Sequence, residues 1–187
     1  MHPSSYPDAW STVLASLTAT VHRPDVSVIE VPAPQRLAPH AVAMTAELES
    51  DDGDSSGRFV LLHDPDPPEV WEGDLRVVCF VKATLDESIA ADPMLTEVGW
   101  SWLLECLEGR GAHYTALSGT VTRTTSEAFG ALSERAPDGT VEIRASWTPV
   151  ETDLTAHAQA WTDLLATAAG LPVIPAGVTP LGGPRRA

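Results

Sequence analysis

The stretch that decides the fold is YTALSGTVTRTTSEAFGAL (residues 114–132), followed by a turn at Pro137-Asp138-Gly139 and by TVEIRASW (140–147). In the second run Val141, Ile143, Ala145 and Trp147 alternate with Glu142, Arg144 and Ser146. That period of two is the mark of a strand with one buried face. In the first run Leu117, Gly119 and Val121 alternate with Ser118, Thr120, Thr122 and Thr124, a second one-sided ribbon whose outer face is rich in hydroxyls. Two such ribbons in a chain that also carries helical patterns predict an α+β protein.

Working outward, Trp10, Val13, Leu14, Leu17 and Val21 follow helical spacing and predict a helix over 8–21, ended by Pro24. Val26–Val31 reads as a short strand. The connector PAPQRLAP (32–39) holds three prolines in eight residues and cannot donate a full ladder. A half-buried strand is expected over 41–48, a solvated hairpin loop over ESDDGDSSG (49–57), and a return strand over 58–64. Leu75–Leu85 is apolar almost throughout its middle, which predicts a central strand covered on both faces. Helices follow at Pro93–Glu108 and Thr155–Ala169, with a short one over 126–134 in the connection between the last two strands. The expected architecture is a mainly antiparallel sheet of about five or six strands packed against two to three helices. It forms one domain over 8–172 with a flexible Pro/Gly-rich tail over 173–187. The 14-residue connection between the last two strands leaves their relative direction open.

Composition narrows the function. A chain of 187 residues is long enough to bury roughly 70% of its unfolded surface without a disulfide or metal staple. Its two cysteines, Cys79 and Cys106, sit in apolar runs and read as small core residues in a reducing compartment. Twenty-six acidic residues against eleven basic ones give a net charge of −15, which disfavours direct binding to nucleic acid or to anionic lipid. No apolar run approaches a transmembrane span, and the first residues lack the form of a signal peptide. These features predict a cytoplasmic protein. A single lysine and no asparagine point to GC-driven codon usage.

No Walker loop, Gly-x-Gly-x-x-Gly, Gly-x-Ser-x-Gly or zinc-type spacing occurs, so the residues imply neither metal nor cofactor. His157 falls on the apolar face of the last helix, where a hydrogen-bonded core histidine is the ordinary finding. The acidic run Glu47–Asp54 lacks calcium-loop spacing and its terminal glutamate. Arg123 stands where the alternation calls for a hydrophobe, on the side of Val121. It is either paired with a carboxylate (Glu97, Glu127 or Glu142), an anchor for a ligand anion, or a strand-end residue reaching to solvent. Trp100 and Trp102 lie about 200° apart on their helix, so they cannot both face one core. One of them lines a ligand cup or partner surface, or else the helix is sandwiched.

Five blocks, EVPAPQRLAPHA (30–41), DPMLTEVGWSWL (92–103), the 114–132 stretch, VEIRASWTP (141–149) and HAQAWTDLLATAAGLP (157–172), resemble the actinobacterial family known as domain of unknown function three thousand. The resemblance covers roughly residues 9–178 and implies a cytoplasmic actinobacterial protein. It carries no activity, cofactor or site residue. Three readings follow from the residues. The first is a non-catalytic interaction or regulatory protein that self-associates through the Trp100 helix or a sheet edge. The second is a binder of a small anionic ligand using Arg36, Arg123 or Arg144 with a tryptophan. The third is an enzyme using carboxylates such as Glu97 and Glu127 with an arginine.

Overall fold

A computed structural model describes residues 9–50, 53–134, 138–172 and 174. Six strands form one sheet: β1 (Ser27–Val31), β2 (His40–Ser50), β3 (Gly53–His63), β4 (Leu75–Leu85), β5 (Tyr114–Ser126) and β6 (Asp138–Pro149). Their spatial order is β1-β2-β3-β4-β6-β5, and every neighbouring pair is antiparallel. The short links between β1 and β4 explain this, because two-residue and Pro-rich connections make hairpins and leave no room for crossover helices. The last two strands are antiparallel as well, and the expected helix between them is one 3-10 turn at Gly130–Leu132.

Among the described residues there are also four α-helices: α1 (Ala9–Ala19), α2 (Glu87–Ala90), α3 (Leu95–Gly109) and α4 (Thr155–Ala168). The central one is α4. Ten of its fourteen residues are buried, because the sheet lies under it while α1 and α3 pack beside it. The sheet residues beneath the helices are those the alternation marks, including Val77, Cys79 and Val81 of β4 and Val141, Ile143, Ala145 and Trp147 of β6. With α4 they form one continuous core.

Several sequence expectations are corrected here. The acidic hairpin loop is mostly strand, since β2 runs to Ser50 and β3 begins at Gly53, with Ser55 and Gly57 buried. Asp138 and Gly139 belong to β6, paired with Ser126 and Thr125; Pro137 and the 175–187 tail lie outside the described residues. The short helix α2, capped by the Asp86 side chain on the Ser88 amide, has too few residues to show a periodicity. The largest correction concerns β4. It is central, between β3 and β6, but only one of its faces is covered by helices. Val78 is 38% exposed and Lys82 is exposed on the other face.

That second face is divided. Over β2 and β3 the connectors close it, with Val31, Ala33, Ala38 and Trp71 packed on Ala43, Val60 and Leu62. Over β4, β6 and β5 it is left open except at one end, where the Trp71–Gly73 turn meets Thr148, whose hydroxyl donates to the Trp71 carbonyl.

Two glycines allow the helical side to close. At Gly99 α3 passes over Val121, leaving 3.1 Å to where a Cβ would sit. At Gly119 a Cβ would meet the Arg144 carbonyl oxygen at 2.3 Å and the Trp100 ring at 2.8 Å. Neighbouring backbone cannot yield cheaply, so Gly119→Ala is expected to destabilise the fold by about 3 kcal/mol. Chemical denaturation measures it, and a change below about 0.5 kcal/mol would show that β5 is not held this close to β6.

Candidate functional site

The open face is organised in rows across four strands, set by the pairing register. One row reads Arg58 (β3), Phe80 (β4), Arg144 (β6), Thr120 (β5). The guanidinium of Arg144 lies over the Phe80 ring at 5.3 Å from its centroid, a cation–π contact. The next row reads Ser56, Lys82, Glu142, Thr122. Here Glu142 serves both Lys82 (3.5 Å) and Arg144 (3.2 Å). On the other side the row is Val60, Val78, Ser146, Ser118. Together Val78, Phe80, Ser118, Thr120 and Arg144 line an open groove of about 410 Å3. Arg58, Lys82 and Arg144 share these rows with Glu142, and the same register places Glu47 of β2 (beside Ser56), Asp54 of β3 and Asp138 of β6 on this face.

Arg76 closes one end of the face. Its side chain is buried and donates to the Ala116 carbonyl (2.9 Å), Thr148 Oγ1 (3.2 Å) and Ser146 Oγ (2.7 Å), all uncharged acceptors. Burial lowers its pKa from the ordinary arginine value, partly opposed by Glu72. The Ala116 carbonyl is available because β5 bulges between Thr115 and Ser118, with Ala116 left-handed at φ 49°. Arg76 therefore pins a bulge that bends the start of the edge strand. A lone arginine heading an apolar strand was the sequence signal for it.

The two edges of the sheet differ. At one end β1 has five residues, carries Glu30 and runs into the Pro-rich connector, devices that discourage pairing. At the other end β5 has thirteen residues, and past the bulge only Val121 is not exposed. Its one charged residue is Arg123.

Of the ligand-binding candidates Arg36, Arg123, Arg144, Trp100 and Glu97, only Arg144 lies on this face, together with Glu142, a candidate partner of Arg123 by sequence. Arg123 lies on the helical side with Val121, but among the described residues it pairs with no carboxylate there. Its Nη1 donates to the carbonyls of Ala90 and Ala91 at 3.2 Å each, so an exposed strand-end arginine caps the C-terminal end of α2. Trp100 is half-buried against Gly119 under the sheet. Arg36 is exposed in the connector in a left-handed turn (φ 72°), and Glu97 is exposed on α3. The structure does not gather Glu97 and Glu127 around an arginine. A second groove, about 310 Å3, runs between α1 and β1–β2 and is lined by Leu17, His22, Glu30 and Met44 among others. Neither groove is lined by Arg123 or by an indole.

Two polar clusters sit on the helical side, and sequence reasoning missed the first. Asp163, buried on α4, accepts both prongs of Arg110 (2.5 and 2.9 Å) and lies 3.9 Å from the buried Arg23, which also pairs with Asp25. In the second, the Trp147 indole donates to His157 Nδ1 at 3.0 Å. That fixes the proton of a neutral His157 on Nε2, which faces Glu151 at 3.6 Å, while the other Glu151 oxygen bonds His113. Among the described residues no group of histidine, cysteine and carboxylate side chains is arranged to hold a metal.

The profile of the family of proteins of unknown function DUF3000 matches residues 6–179. The chain belongs to the DUF3000 family. Comparison with curated proteins and with solved structures gives no match. The DUF3000 match spans every helix and strand described above, so the open face and the β5 edge both lie within the family's unit.

In this DUF3000 protein both cysteines are free and buried. Burial raises the thiol pKa of each, that of Cys106 to about 11, which keeps them protonated and poorly nucleophilic near neutral pH. Burial has the opposite effect on the imidazoles of His157 and His22, lowering both below the ordinary value of 6.5. Above that value neither the folded nor the unfolded chain is protonated at these positions. As pH falls below it, the unfolded chain takes up protons first, so stability drops until the folded-state pKa values are passed. The melting temperature should therefore decline between pH 7.5 and 5.5, and less steeply in His157→Gln. A melting temperature that rises over this range would contradict the neutral His157.

Proposed function

We propose that this chain is a non-catalytic interaction protein of a reducing cytoplasm that receives a partner chain on the β5 edge and the adjoining open face. The observation that carries this reading is the bare β5 edge. Its outward N–H and C=O groups are a template for an added strand, and past the bulge it has no lysine or proline and every residue but Val121 is exposed. The neighbouring Val78 and Phe80 supply apolar surface beside it. Two buried free thiols accord with a reducing compartment. A second reading, a small anionic ligand held by Arg144, is favoured by the groove over Phe80.

A photo-crosslinking residue at Thr122, exposed on β5, tests the reading against the same residue at Glu105, exposed on α3. In cells of the source organism the Thr122 probe should give one discrete heavier adduct, identifiable by mass spectrometry, that the Glu105 probe does not give. A Thr120→Lys change in the same chain, placing a charge of the kind that guards natural edges, should reduce it. Identical smears from both positions, or no adduct at Thr122, would overturn the proposal.

A further inference from the structure

We infer that the groove between α1 and the β1–β2 end of the sheet binds a small protonated amine, with the ammonium held at the mouth by Glu30 and an apolar body laid on the floor beside α1. This site stands apart from the β5 edge, which lies at the other end of the sheet.

The groove exists because α1 is tied to α4 above the sheet. Val13 and Leu17 are the buried residues of α1. The Ser16 hydroxyl oxygen accepts from the Leu154 amide (3.0 Å), and the Gln159 side-chain amide donates to the Val21 carbonyl (2.9 Å). These bonds fix the helix and its exit to α4 and leave about 310 Å3 on the β1 side, a volume within the range of small-molecule sites. The floor is apolar, made by Leu14 and Leu17 of α1 with Val28, Val42 and Met44 of the sheet.

The polar groups around that floor decide the chemistry of the ligand, because they are left as acceptors. Thr18 and Thr20 each commit their single hydroxyl proton to a carbonyl of α1, that of Leu14 (3.0 Å) and that of Ser16 (2.8 Å). Only oxygen lone pairs remain to them. Thr162 likewise donates to the Gln159 carbonyl (3.0 Å), so in its 3.5 Å contact with His22 it is Nδ1 that carries the proton. Burial, partly opposed by Asp163, lowers the pKa of His22 and keeps the ring neutral near neutral pH. A neutral imidazole protonated on Nδ1 has a bare, accepting Nε2. Glu30 is exposed and has no hydrogen-bond or ion-pair partner among the described residues. Among the described residues that line the groove there is no lysine or arginine. An ammonium brings three donors and no acceptor, which complements this lining. A carboxylate in the same place would meet acceptors and a like charge. The net charge of −15 draws a cation in and repels an anion.

The test follows the amide signals of isotope-labelled protein by NMR as hexylamine, hexanol, hexanoate and methylamine are added near neutral pH at constant ionic strength. Hexylamine should shift the signals of Leu17, Val28 and Met44 saturably and bind at least about fivefold more tightly than hexanol, because its hydrogen bonds are charge-assisted. Hexanoate should not bind. Methylamine has the charge without the apolar body and should give no saturable shift at these residues. Glu30→Gln, a change at an exposed position, should bring hexylamine down to the affinity of hexanol while leaving hexanol binding and the melting temperature unaffected. Equal affinities for hexylamine and hexanol in the wild type would overturn the amine site, as would hexylamine binding that survives Glu30→Gln. Shifts that methylamine reproduces would also overturn it, since they report diffuse attraction to an acidic surface. So would the absence of a saturable hexylamine response at Leu17, Val28 and Met44.

Discussion

Replacing Trp147 by alanine is expected to lower the stability of the folded chain by about 3–5 kcal/mol. Trp147 is fully buried on the helical face of β6, opposite Val77 of β4 and beneath α4. Truncation removes the largest class of apolar side chain from the core and leaves a void that the sheet cannot collapse into, because β4 holds β6 from Gly139 to Trp147. It also removes the indole N–H from His157 Nδ1, leaving a second orphaned nitrogen on a ring whose Nε2 already has no hydrogen-bond partner. Trp147→Phe separates the two effects, since it keeps most of the volume but not the donor. Urea titration of the three proteins checks this, with alanine well below phenylalanine and phenylalanine about 1–2 kcal/mol below wild type. A loss below about 1 kcal/mol for alanine would be incompatible with the burial of this face.

The reason this core was legible in the sequence is that β6 alternates almost without exception, and a period of two leaves one choice of buried face. The same holds for α4, whose Ala158, Trp161, Leu164, Leu165 and Ala168 fall in the core as their spacing requires. Local pattern failed where a tertiary arrangement set the answer. An apolar run such as Leu75–Leu85 reads as covered on both sides, yet among the described residues no helix lies on its second face, α1, α3 and α4 having taken the first. Val78 and Phe80 are left on an open surface. The acidic run at 49–57 reads as loop because its residues are poor strand formers, but pairing with β2 and β4 draws 53–57 into the ladder.

The candidate site was legible only in part. Alternation put Arg144 on the polar face of β6, but the sequence does not say which strands flank it, and the Arg58–Phe80–Arg144–Thr120 row joins residues from four separate strands. Arg123 drew notice for breaking the alternation. Its partners are two backbone carbonyls of a four-residue helix more than thirty positions away, and carbonyls leave no trace in side-chain pattern. Asp163 escaped notice for a related reason. A carboxylate in a helix reads as solvated, and only the packing of α4 between its neighbours shows it buried.

Asp163→Asn is accordingly expected to destabilise the protein by about 3–5 kcal/mol, although it alters neither shape nor volume. Arg110, at the C-terminal cap of α3, spends two of its hydrogen bonds on this carboxylate. Arg23, with its side chain almost wholly buried, places its Nη1 at 3.9 Å from Asp163, and that nitrogen makes no hydrogen bond among the described residues. Asparagine would leave the Arg110 guanidinium facing a neutral amide, with Arg23 still held by Asp25, and in a partly closed environment an uncompensated charge costs more than a lost bond. The pair also ties α3 to α4 and the chain before β1, so its loss should be felt across the helical layer. Denaturation of Asp163→Asn, Arg110→Met and the double variant forms a cycle. The double variant should be clearly more stable than the sum of the two single losses implies, by at least about 1 kcal/mol, because removing both partners strands no charge. Additive losses would mean that Asp163 and Arg110 act separately, and an Asp163→Asn loss under about 1 kcal/mol would mean that water reaches the cluster and screens it.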